Sequence, residues 1–139
     1  MKIKPLHPDF IMPTVGSDGA AAFDIHMPAA GTIHGGTVKV ALGFAAAVPE
    51  GYVALLLPRS STGVKYGVEL LNTCGVIDAD YRGEWMAFLR TKSGVPFSWA
   101  KGERVLQCMV VPVLRPTLEL VQELDGTERG TGGFGSSGK

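Results

Sequence analysis

TVKVALGFAAAV, PEG and YVALLL, which run without a break from residue 37 to residue 57, decide the fold class. The outer two pieces are apolar or alternating runs, and Pro49-Glu50-Gly51 between them reads as a turn. Working outward, similar runs occupy 21–27 (AAFDIHM), 84–91 (EWMAFLRT) and 103–114 (ERVLQCMVVPVL), each bounded by Gly, Pro, Asp or Asn. That pattern predicts strands of a sandwich or barrel. The amino terminus also reads as a strand, and Lys101-Gly102-Glu103 as a turn. No window sustains a helical period with caps. One short helix is expected at 60–66, with Ser60 or Ser61 as its N-cap.

Composition agrees with many short strands. The 139 residues include 19 glycines and 9 prolines, and 45% of the chain is hydrophobic against 19% charged. Glycine is at about twice its usual share of roughly 7%, which argues against a helical bundle. Lys plus Arg and Asp plus Glu are 13 each. A zero balance gives no general grip on nucleic acid, so an anion site has to be built locally. No apolar stretch reaches the length of a membrane span, and no signal peptide is evident. Cys74 and Cys108 lie in apolar surroundings without C-x-x-C spacing, and read as two reduced, buried thiols of a cytoplasmic protein.

Three segments offer chemistry. Pro58-Arg59-Ser60-Ser61 follows a buried strand and opens the helical turn; arginine, two hydroxyls and helix-start amides suit a phosphate, and equally an ordinary cap with a surface arginine. Residues 75–84 (GVIDADYRGE) have hairpin character. Asp78 follows the apolar pair Val76-Ile77, which sets its carboxylate at the edge of a partly dry pocket as a candidate general base, although Asp is common in turns. After Asp125 the chain is almost all Gly, Ser and Thr. By composition it is a flexible tail, but Phe134 is out of place in an idle linker, and Arg129 and Ser136 with free backbone amides can wrap an anion. The terminal GFGSSGK fits the spacing of a Walker-A loop, but lacks the following Ser or Thr and the helix that loop requires.

AAFDI (21–25), PRSS (58–61), GVIDADYRGE (75–84), GERVLQ (102–107) and RGTGGFGSSG (129–138) stand in an order that resembles the five motifs of the deoxyuridine triphosphatase (dUTPase) family. Ala22, Thr62-Gly63 and Leu106 depart from the common pattern, which has Gly, Leu-Ala and Ala there. The resemblance implies an all-β, single-domain barrel or jelly roll over 1–125 and a flexible lid over 126–139. It implies hydrolysis of dUTP to dUMP and pyrophosphate, which supplies dUMP and limits uracil in DNA. Asp78 is then the base that activates water. Arg59, Ser60, Ser61 and Gln107 hold the triphosphate, and Arg129, Gly135, Ser136 and Ser137 close over it. Gly75, Val76, Ile77, Asp78 and Asn72 read uracil, Tyr81 packs on the deoxyribose, Met86 approaches the substrate and Phe134 stacks on the base. Mg²⁺ rides on the triphosphate, with Asp24 acting through a water. The family resemblance further implies a homotrimer with shared sites and no nucleic-acid or membrane partner. The spacing between the third and fourth motifs leaves no room for a regulatory insert. A dCTP deaminase of the same fold is the enzymatic alternative; a dUTP-sensing regulatory module is the non-enzymatic one.

Overall fold

The computed structural model describes residues 1–92 and 95–133. Among these, twelve strands follow in chain order: β1 (Lys2–Pro5), β2 (Thr14–Val15), β3 (Phe23–His26), β4 (Gly31–Ile33), β5 (Thr37–Ala41), β6 (Phe44–Ala47), β7 (Tyr52–Pro58), β8 (Val68–Leu70), β9 (Gly75–Ile77), β10 (Met86–Thr91), β11 (Phe97–Trp99) and β12 (Arg104–Pro112). The single helical turn, Ser61–Lys65, is of the wide π type. Every pairing is antiparallel. The largest sheet has the order β2-β3-β12-β7-β9, a second is β5-β10-β8, and β1–β6 and β4–β11 form pairs. These sheets stay open. The layered, jelly-roll-like form of the expected all-β fold is therefore found, not a closed barrel.

The core lies between the inward faces of these sheets. In β10 burial alternates residue by residue, with Ala87, Leu89 and Thr91 inside and Met86, Phe88 and Arg90 outside, the period of two that a half-buried strand requires. Phe10, Phe44 and Trp85 form a chain of rings with centroids 5.6 and 5.0 Å apart. Ile25, Leu56, Val105, Leu106 and Cys108 close the core from the large sheet.

Several expectations are corrected. The run 37–48 divides at Leu42-Gly43, where Gly43 has φ +76°. Its carbonyl accepts the amides of Leu6 and His7, which brings β1 alongside β6. Residues 75–84 are not a hairpin: β9 pairs with β7, whereas β10 pairs with β5 and β8, so the segment crosses between sheets. Ser60 stands at the N-cap position but is itself helical (φ −53°, ψ −44°), and no side-chain cap bond forms. Cys74 is half-buried, and only Cys108 is fully enclosed. The last strand ends at Pro112, and residues 113–133 form none.

Two glycines give opposite tests of this packing. A Cβ on Gly63 in the helical turn would meet nothing closer than 3.7 Å, whereas one on Gly31 would overlap the Trp99 ring. Gly63→Ala is expected to stabilise the chain by about 0.4–1 kcal/mol through the unfolded state. Gly31→Ala is expected to destabilise it by about 1–3 kcal/mol by displacing Trp99. Urea unfolding of both variants checks the sign of each effect.

Candidate functional site

The crossing segment from β8 to β10 walls a cleft of about 350 Å³. β9 can enter because Gly75 faces Leu56 of β7 so closely that a Cβ there would lie 2.9 Å from the leucine's. Ile77 then points inward, while Val76 is 63% exposed on the cleft side. Asn72 reaches the same cleft from a strained turn. The amide of Cys74 donates to the Asn72 carbonyl at 2.6 Å across Thr73, whose φ is +65°. An i→i+2 bond around a positive φ is the rare, strained γ-turn, and a β-branched residue makes it costlier still.

Beyond β9, Asp78 lines the cleft and its carbonyl accepts the amide of Tyr81 at 3.2 Å. The Asp78 residue is exposed, so within one chain its surroundings are wetter than the sequence suggested. Tyr81 folds back over Gly83, where any side chain would collide with its ring, and its hydroxyl donates to the Glu84 carbonyl at 3.0 Å. Arg82 ties the loop by donating to the carbonyls of Ala79 and Tyr81. The Glu84 carboxylate accepts the Gly43 amide, and Trp85 exchanges backbone bonds with Leu42 and Phe44. The loop is thereby pinned to the core at its far end.

Asn72, Gly75, Val76, Ile77, Asp78, Tyr81 and Met86, expected from the sequence to act together, do share this cleft. Lys39, Leu56, Trp85 and Phe88 line it as well and were not foreseen. Trp85 is 1% exposed, and its indole N–H has no partner among the described residues. Nothing in a sequence flags these four together, because segments distant along the chain become neighbours only when their strands pair.

Asp24, Arg59 and Gln107 form a second cluster, apart from the cleft. Asp24 of β3, 8% exposed, accepts Arg59 Nε at 2.8 Å on one oxygen and Arg104 Nη1 at 3.0 Å on the other. Arg59 Nη1 also donates to the Arg104 carbonyl at 3.3 Å, and Gln107 Nε2 to the Pro58 carbonyl at 3.1 Å. Ser60 and Ser61 stand exposed beside them. Arg104 is the residue that sequence reasoning missed here. Arg129 joins neither group; its Nε donates to the Gly132 carbonyl in a local turn. Phe134, Gly135, Ser136 and Ser137 lie outside the described residues.

A divalent cation finds no cluster of three acidic, His or Cys groups among the described residues. Asp24 nevertheless fits a metal-bound water. A carboxylate offers about four lone-pair sites, and the two guanidinium groups take one on each oxygen. Direct ligation suits it poorly, because both oxygens already face cations.

The family model for dUTPase matches residues 8–138. A deoxyuridine 5'-triphosphate nucleotidohydrolase from Dictyoglomus turgidum is 41% identical over 98% of this chain and 96% of its own length. One from Nautilia profundicola is 40% identical over 100% and 99%. Among solved structures, Staphylococcus bacteriophage 80alpha dUTPase with dUPNHPP superposes with a TM-score of 0.89 at 27% identity, covering 99% of this chain and 98% of that one.

The two thiols test the local burial. Desolvation pushes the Cys108 thiol up to about 11, so it stays protonated and unreactive at neutral pH. A thiol reagent at pH 8 is expected to label one cysteine per native chain, Cys74, and two after denaturation; peptide mapping identifies the site.

Proposed function

The chain belongs to the dUTPase family, and on that premise we propose that it hydrolyses dUTP to dUMP and pyrophosphate. The observation that carries the reading is the convergence of Asn72, Gly75–Asp78 and Tyr81 on one cleft. Uracil needs donors and acceptors along one edge, which the backbone of Gly75–Asp78 and the Asn72 carboxamide supply. Cytosine would leave buried groups unpaired, at a cost that discriminates strongly. Tyr81, held by the Glu84 carbonyl, packs on the deoxyribose where a 2′-hydroxyl would need room. Met86 lines the same wall.

In the reaction, Asp78 orients a water and takes its proton as the water oxygen bonds to the α-phosphorus. The bond from that phosphorus to the bridging oxygen breaks, and pyrophosphate leaves. Arg59, Ser60, Ser61 and Gln107 bind the triphosphate, and positioning of this kind supplies most of the catalysis in phosphoryl transfer. Mg²⁺ bound with the triphosphate would neutralise phosphate charge, with Asp24 holding one of its waters. Residues 126–139 act as a lid: Arg129, Gly135, Ser136 and Ser137 grip the phosphates and Phe134 covers the base. A cytoplasmic place belongs to the same reading, and no helix among the described residues is long and apolar enough to cross a membrane. Hydrolysis of dUTP there limits uracil in DNA and supplies dUMP.

Assembly as a homotrimer completes the reading. Among the described residues, the lining of the cleft includes none of Asp24, Arg59 and Gln107. Leu114, Leu118, Leu120 and Leu124 are between 89% and 101% exposed along the arm that follows β12. So much apolar surface on an extended arm favours burial against another copy.

Asp78→Asn keeps the shape and loses the base. Pyrophosphate release is expected to fall about 10²–10⁴-fold while a non-hydrolysable dUTP analogue binds nearly as before; normal turnover would remove Asp78 from the role. Sedimentation equilibrium is expected to give about three times the 14.7 kDa chain mass. Replacing Leu114, Leu118 and Leu120 together with Ser is expected to shift the mass towards the monomer. A fully active monomer would contradict the shared sites.

A further inference from the structure

Arg104 and Gln107 are three residues apart, an odd spacing that puts side chains on opposite faces of a regular strand. Here they share a face. The register of β12 against β3 runs Gln107↔Asp24 and Leu106↔Ile25, then shifts so that Arg104 faces His26. The extra residue is Val105, and its bulge leaves both Val105 and Leu106 fully buried. Bulges re-aim side chains in this way. The result is a guanidinium beside Asp24, on the side of the carboxylate that Arg59 does not occupy.

We propose that Arg104 is a positioning residue for triphosphate binding: through Asp24 and its own carbonyl it holds the Arg59 guanidinium ready at the head of the phosphate-binding turn, and the bulge at Val105 places it there. This rests on the reading that Arg59 meets the triphosphate. Arg59 spends Nε–H on Asp24 and one Nη1–H on the Arg104 carbonyl, which leaves three of a guanidinium's five donors for the ligand. Its orientation is fixed before the ligand arrives, so less rotamer freedom is lost on binding. Without Arg104, Asp24 has one cation in place of two and draws Arg59 inward, away from the ligand.

Calorimetry with the non-hydrolysable dUTP analogue and with dUMP, each with Mg²⁺ and in EDTA, tests this. Arg104→Met is expected to weaken the analogue about tenfold, with or without metal, and to leave dUMP within twofold. Asp24→Asn is expected to do the same in EDTA, and to lose more with Mg²⁺, because its carboxylate no longer holds a metal-bound water. In the Asp24→Asn background, adding Arg104→Met should cost less than a further twofold, because the link through Asp24 is already broken. Equal costs in both backgrounds, equal losses for analogue and dUMP, a loss confined to Mg²⁺, or wild-type affinity in Arg104→Met would each overturn the proposal. If Arg104→Met does not fold, Arg104→Lys is expected to show the same pattern at smaller amplitude, and wild-type affinity there would overturn it too. A wild-type chain that binds no analogue would instead overturn the proposed function, and this inference with it.

Discussion

β12 is the strand on which the rest of the molecule depends. It pairs with β3 along one edge and with β7 along the other, so it holds the middle of the largest sheet. Its inward residues Val105, Leu106 and Cys108 are almost wholly buried. The same strand carries the polar cluster on its other face. A displacement of β12 would therefore open the core and scatter Asp24, Arg59 and Gln107 together. In the proposed function, structural and binding roles share one element, because a central strand has neighbours on both sides to which it can bring side chains.

The cleft is organised differently. Its residues come from one stretch of chain, and close backbone approach shapes it more than side-chain packing does. Gly75 admits β9 against Leu56, and Gly83 admits the Tyr81 ring. Thr73 accepts a backbone conformation that costs about 1–3 kcal/mol at such positions. Strain of this kind persists where neighbours hold it, and β8 and β9, paired into two different sheets, hold both ends of the turn. Rigidity of the loop then follows from its anchoring, by Glu84 to Gly43 and by Arg82 to its own carbonyls.

Charge follows the same economy. The chain is neutral as a whole, so the anionic ligand of the proposed function would be recognised by local arrangement and not by a long-range field. Asp24 compensates two arginines in a partly buried place, where an isolated charge would be costly. The arm beyond Pro112 is the opposite case. Its leucines gain nothing within the chain, and in the proposed trimer a second copy supplies their surroundings.

Much was legible from residues alone. The alternating and apolar runs marked β3, β7, β10 and β12, because strand periodicity is local and every second residue reports it. The composition of the chain after Asp125 marked a segment distinct from the core. Order and spacing of the five motifs marked the family, and Gly75, Val76, Ile77, Asp78 and Tyr81 of the third line one cleft. Other features depended on pairing. Whether 75–84 forms a hairpin or crosses between sheets turns on which strand accepts the hydrogen bonds of β9, and no local pattern encodes that choice. The bulge at Val105 leaves only two adjacent apolar residues in the sequence, which is also what an ordinary buried strand shows. Sequence by itself determined which residues had the chemistry for a nucleotide site, since that chemistry belongs to the side chains. The tertiary structure alone decided that Arg104 stands beside Asp24 and Lys39 beside Phe88, because strands distant along the chain meet only when their backbones pair.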